Sequence, residues 1–171
     1  MEALAEHAQP ARVARVALSG YYGFDNSGDE AVLQSILMAL QEEGERAGIK
    51  MVPVVLSGDP VKTTRLYGVE AAHRMRPDEL FDAVRGCDAL ISGGGSLLQD
   101  VTGLGTIPYY LGVLKLPQWL GKPTYIYSQG VGPVQRRLFR PFIRGVMNKC
   151  RLVSVRDEES AALLRRIGGR Q

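Results

Sequence analysis

Short β-rich runs alternate with helical stretches along almost the whole chain, and that alternation limits the fold more than any single motif. The runs VARVALS (13–19), KMVPVVL (50–56), VEAAH (69–73), DALIS (88–92), TYIYS (124–128) and LVSV (152–155) read as strands. Pro53 sets the second run at an edge or a bulge, because proline cannot donate to a ladder. Between the runs, Val32, Leu33, Ile36, Leu37 and Leu40 repeat at helical spacing within residues 29–43. Residues 62–66 read as a short helical turn, and 77–86, 107–120, 134–148 and 158–167 as helices, with Pro141 kinking the helix over 134–148 or starting it anew. Strands alternating with helices predict a doubly wound, mostly parallel, Rossmann-like α/β sheet. With 171 residues, 45% of them apolar, the chain suits one domain with its own core. We set that domain at residues 13–171, with residues 1–12 as a disordered lead that lacks the basic and apolar regions of a secretory signal.

Ligands of open parallel sheets bind outside the carboxyl ends of the strands. The first strand is followed by GYYGFDNSGDE, the fourth by GGGSLLQD, the fifth by QGVGP and the sixth by RDEES. Four polar or glycine-rich segments would then open on one edge. Ser27 and Glu30 fit a capping box, with Ser27 as the N-cap of the first helix. A phosphate cradle fits poorly, since Asp29 and Glu30 occupy the first turn and no lysine follows the glycines. That leaves Asp29 as either a dipole-complementing acid or a working carboxylate for sugar hydroxyls. Gly93, Gly94 and Gly95 let a backbone approach a ligand closely, and Ser96 follows them. Gly130 and Gly132 are explained as well by a turn before Pro133. Arg156 either marks a strand end or clamps a carboxylate or phosphate. His7 and His73 suggest no catalytic set, and no cluster has metal-ligand spacing.

Charge is unevenly spread. The net charge is +3, yet residues 101–156 contain no Asp or Glu while holding Lys115, Lys122, Arg136, Arg137, Arg140, Arg144, Lys149, Arg151 and Arg156. Such a segment favours anionic partners: a phosphorylated small molecule, a lipid headgroup or nucleic acid. Cys87 and Cys150, without a CxxC, suit a reducing cytoplasm.

Taken together, GYYGFDNSGDEAVL, ISGGGSLLQD, YSQGVGP and VSVRDEES resemble the N-terminal half of the polysaccharide pyruvyl transferase family, in order over residues 13–168. The likeness is greatest to the CsaB branch, bacterial enzymes that modify cell-wall polysaccharide for surface-layer anchoring. The resemblance implies transfer of the enolpyruvyl skeleton of phosphoenolpyruvate to two hydroxyls of one sugar, an N-acetylmannosamine in that branch, as a cyclic ketal with release of phosphate. Phosphoenolpyruvate is then a co-substrate, and no cofactor or metal is implied. The implied fold is of the two-domain glycosyltransferase-B type. Asn26, Ser27, Gly28, Asp29, the Gly93–Ser96 loop, Gln129, Gly130, Gly132 and Arg156 would line the N-terminal wall of its cleft, with Asp29 as base. Partners would be a glycan acceptor, lipid-linked in some members, the membrane surface that carries it, and either the family's C-terminal domain or a second copy; nucleic acid is not expected. Location would be cytoplasmic, at the inner membrane face. Without the second domain, the half is expected to fold but not to catalyse. Two other readings stay open: half of a sugar-nucleotide glycosyltransferase, and a non-catalytic acceptor-binding module.

Overall fold

The computed structural model describes residues 12–98, 105–132, 134 and 136–168. The expected lead over residues 1–12 lies outside these apart from Arg12. The strands are β1 (Arg12–Tyr22), β2 (Ile49–Ser57), β3 (Glu70–His73), β4 (Ala89–Gly93), β5 (Ser96–Leu98), β6 (Thr124–Val131) and β7 (Leu152–Val155). The helices are α1 (Ser27–Ala47), α2 (Pro60–Tyr67), α3 (Pro77–Gly86), α4 (Thr106–Trp119), α5 (Arg140–Met147) and α6 (Glu158–Ile167).

All strand pairings among the described residues are parallel, in the order β3-β2-β1-β4-β6, with β7 also paired to β6. β4 pairs with the start of β6 and β5 with its end. Gly94 N–H donates to the Tyr127 carbonyl at 3.3 Å and Gly130 N–H to the Gly95 carbonyl at 2.8 Å. β5 therefore extends the line of β4 past a glycine break. Across the sheet the chain moves outward from β1 to β3, then returns beside β1 as β4 and continues to β7. This is the doubly wound, Rossmann-like arrangement, and its direction reverses between β1 and β4.

Alternation within the strands builds two cores. Val16, Leu18 and Val55 face α1, where Leu33 and Ile36 are buried against them. Ala17, Val54 and Leu56 point the other way, into a larger cluster with Val84 of α3, Leu114 of α4, Ile143 of α5 and Ile167 of α6. Each large side chain so buried contributes roughly 1.5–3 kcal/mol. Pro53 pairs with Val16 on one side, and β3 begins only opposite Val54, so the proline sits at a local edge. Pro141 lies in the first turn of α5, and a separate 3-10 turn, Arg137–Phe139, precedes it. The helix expected over 134–148 is thus begun anew at the proline, whose fixed φ suits a first turn and not an interior.

Candidate active site at the carboxyl edge of the sheet

Because the strands are parallel, β1, β4, β6 and β7 all end on one edge. Tyr22 closes β1 fully buried, and its hydroxyl donates to the Gly93 carbonyl at 2.8 Å. That bond ties the end of β1 to the end of β4 at the point of reversal. Burial pushes the Tyr22 phenol far above its ordinary value, so it remains a donor.

The start of α1 differs from the capping box expected of it. Asn26 is the N-cap, its side chain accepting from Gly28 N–H at 3.1 Å, and Ser27 is the first helical residue. Glu30 does not reach back to the cap. It accepts from Gly23 N–H at 2.8 Å and from the Tyr67 hydroxyl at 2.6 Å, binding the loop and α2 together. Burial and this bond push the Tyr67 phenol up to about 12. Asp25, in the left-handed region at φ 59°, pairs with Lys62 of α2. The long-range pair fixes the turn one residue ahead of Asn26, which is why the helix starts there.

Asp29 is thereby set in the first turn of α1, 8% exposed, with no side-chain hydrogen bond among the described residues. Burial raises its carboxyl above the ordinary value, Glu30 raises it further, and Arg156 opposes them. Its charge is also felt at Tyr22 and at Tyr110 of α4, so the carboxylate lies within electrostatic reach of both phenols. Arg156 leaves the end of β7, its backbone N–H on the Gln129 carbonyl at 3.2 Å and its Nε 3.3 Å from Asp157. Asp157 caps α6 by accepting from Ser160 N–H at 2.8 Å. The bonds to Ser160 and then Arg156 hold its carboxyl below the ordinary value.

The glycine loop brings these groups together by permitting close packing. A Cβ at Gly93 would stand 2.5 Å from Ile36 Cδ1, and one at Gly94, where φ is +78°, 2.8 Å from a Val32 methyl. Both contacts are with α1. Side chains there would push the helix, and Asp29 with it, away from β4. Gly95 holds β6 through its carbonyl, and Ser96 opens β5. Gln129 and Gly130 are not loop residues as expected but lie within β6, which continues to Val131 because β5 and β7 supply pairing partners there. Gln129 is fully buried; its Oε1 accepts from Ser92 Oγ at 3.1 Å and its Nε2 has no partner among the described residues. Gly132 follows, packed so that a Cβ would meet Leu163 at 2.5 Å.

A model of the polysaccharide pyruvyl transferase family matches residues 26–168, which span α1 to the end of α6 and include Asp29, the glycine loop, Gln129 and Arg156. The chain belongs to that family. No curated protein matches it. Among solved structures, the CMP N-glycosidase BcmB of Clostridium botulinum aligns at 15% identity with a TM-score of 0.41, covering 89% of this chain and 98% of that one.

One residue of this pyruvyl transferase chain escaped sequence reasoning. Arg74 follows β3, is 6% exposed, and pairs with no carboxylate among the described residues. It donates to the Gly20 carbonyl at 2.8 Å and to the Tyr110 hydroxyl at 3.0 Å. The rings of Tyr21, Phe24, Tyr109 and Tyr110 surround its guanidinium, with centroids 4.6–5.7 Å away. The aromatic faces partly replace a counter-ion. Its signal was the one that marked Arg156, an arginine directly after a strand. Asp29 thus has one arginine beside it from β7, and a second joined to Tyr110 from β3. No group of His, Cys, Asp and Glu among the described residues could hold a metal.

Proposed function

We infer that this chain forms the N-terminal wall of an enzyme that transfers pyruvate from phosphoenolpyruvate to a cell-wall sugar, an N-acetylmannosamine in the CsaB-type reading. The observation that carries the reading is Asp29: a largely buried carboxylate with no hydrogen bond, at the reversal point of the sheet, with an arginine in electrostatic reach. A carboxyl raised above its ordinary value is a stronger base once ionised, and an unbonded one is free to take a hydroxyl. Asp29 orients a sugar hydroxyl and accepts its proton as the oxygen bonds to C2 of the enolpyruvyl unit. The methylene carbon gains a proton and becomes methyl, phosphate leaves, and the second hydroxyl bonds to the same C2. Of the two hydroxyl protons, the balance places one on the methyl and one on phosphate. Arg156 holds the carboxylate or phosphate, whose charge would otherwise be desolvated in the cleft. Asn26 to Gly28, Gly93 to Ser96 and the backbone of Gly130 to Gly132 line the acceptor side, and the fully buried Gln129 supports that wall through Ser92. The acid that protonates the methylene comes from a second, C-terminal domain in this reading, and the enzyme works in the cytoplasm.

The test is phosphate release from phosphoenolpyruvate with an N-acetylmannosamine-bearing lipid acceptor, using this chain alone and with a family C-terminal half added in trans. Release only in the second case is expected. Release by the chain alone would overturn the two-domain site. No release in either, with the halves shown to associate, would overturn pyruvyl transfer in favour of a glycosyltransferase or a binding module.

A further inference from the structure

The outer surface of α5 carries charge that the chain does not neutralise. Arg140 and Arg144 make no side-chain hydrogen bond or ion pair among the described residues, and Arg140 Nε is buried without an acceptor. Both line a groove of about 520 Å³ between α5 and α6, together with Pro141, Gly145, Asn148 and Arg166. No carboxylate of the described residues lines it.

The other flank of the same helix is apolar and open. Leu138, just ahead of α5, and Phe142 lie four residues apart and so share one flank, and they are 72% and 59% exposed. Lys149, seven residues past Phe142, continues that flank and lies beside Lys115 of α4; loss of hydration and then the nearby Lys149 ammonium lower Lys115. Lys115 stands over the ring of Trp119, which is 74% exposed. The buried side of α5 is already occupied, with Ile143, Val146 and Met147 in the core. Its open side therefore offers large apolar side chains and cations on the α4 flank and a basic groove on the α6 flank.

We propose that the open surface of α5, from its α4 flank to its α6 flank, docks on an anionic phospholipid surface, with Leu138, Phe142 and Trp119 entering the interface and Arg140, Arg144 and Arg166 receiving a lipid phosphate. The side-chain mixture is that of an interfacial helix. Self-association through this face is opposed by its own charge, since two copies would bring unneutralised cations together. Cations near an anionic leaflet each strengthen binding about fivefold. The proposal goes beyond the reaction assigned above and is independent of it, because its test needs no turnover.

The experiment is co-sedimentation of the full chain with vesicles of phosphatidylcholine alone or mixed with phosphatidylglycerol, at physiological and at high salt. Binding to the mixed vesicles only, weakened by salt, is expected. Arg140→Gln with Arg144→Gln should lower it about 25-fold. Leu138→Ser with Phe142→Ser should lower it at unchanged charge. Arg65→Gln, on α2, should change it less than the same single substitution at Arg144. Melting curves of each variant separate lost binding from lost folding. Absence of binding to anionic vesicles would overturn the proposal, as would binding that survives either double substitution in a folded protein. Groove-dependent binding of inorganic phosphate or of an oligonucleotide, without vesicle binding, would overturn it in favour of those ligands.

Discussion

Between β1 and α3, basic side chains meet acidic ones: Arg15 with Glu70, Arg46 with Glu43, Lys62 with Asp25, and Arg76 with Glu79. Along α4 and α5, Lys115, Arg140, Arg144 and Lys149 meet no carboxylate among the described residues. The difference begins in the sequence, since residues 101–156 offer no acid to pair with. In the first region charge fastens β1 to β3 across β2, a loop to a helix and helical turns to themselves. In the second it is left without a carboxylate among the described residues. Arg12, Lys50, Arg65 and Arg85 of the first region also meet no carboxylate among the described residues but are exposed; Arg74 is the buried exception, where a carbonyl, a phenol and four rings take the place of a carboxylate.

Breaking that exception should have the largest effect on stability. Arg74→Ala removes two hydrogen bonds and the ring contacts that join the β1 loop to α4, and should cost about 3 kcal/mol in denaturant unfolding. Arg74→Lys should recover only part, because an ammonium cannot span the carbonyl and the phenol in a planar fork. A loss under about 1 kcal/mol for the alanine variant would show that the cage does not hold the loop.

Next in size is the packing that brings α1 to β4. Gly94→Ala places a methyl 2.8 Å from Val32 at a positive φ and should cost about 1–3 kcal/mol. Val32→Ala in the same chain should restore part of it, as relief of the clash requires. Equal losses with and without the second substitution would place the cost in the backbone conformation.

The smallest effects should separate the two charged regions most cleanly. Arg15 holds Glu70 below the ordinary carboxylate value. A lowered value means that the pair adds stability above the unfolded value of the acid and loses it as pH falls through the folded one. Because both side chains are partly exposed, Arg15→Gln should cost only about 0.5 kcal/mol, and less in high salt. Arg140→Gln should cost nothing, or stabilise slightly by relieving like-charge repulsion. If the two substitutions destabilise equally, Arg140 has a partner within the fold and the contrast fails.

How far the sequence foretold this structure depended on whether the deciding contact was local. Helices 77–86 and 158–167 and strand 152–155 begin and end where propensity and breakers set them. β1 was read as ending at Ser19, because Gly20 interrupts the β-favouring run; it continues to Tyr22 because, past a register shift, Tyr22 pairs with Ser57 of β2. β6 was cut short for the same reason, its Gln129 and Gly130 kept in the strand by neighbours that composition does not announce. β5, three residues after a glycine run, gave no pattern to read. The cap moved from Ser27 to Asn26 because both are good caps and a distant lysine decided between them. Asp29 and Arg156 were legible, since each follows a strand of a parallel sheet and the edge they share comes with the topology. Arg74 follows a strand in the same way but was passed over, because what sets it apart is a cage of rings from two other segments.

The central claim rests on the Asp29 carboxylate, and it is best measured by phosphate release from phosphoenolpyruvate with this chain and a family C-terminal half together, comparing wild type with Asp29→Asn across pH. Asparagine keeps the shape and removes the base. The account predicts a loss in kcat of about 100-fold or more with little change in KM for phosphoenolpyruvate. It also predicts that the wild-type rate falls as pH drops through a value above that of an ordinary aspartate, and that the variant lacks this limb, since burial and Glu30 raise the group. A folded Asp29→Asn enzyme that keeps its rate within a few-fold, or keeps the acid limb, would contradict it.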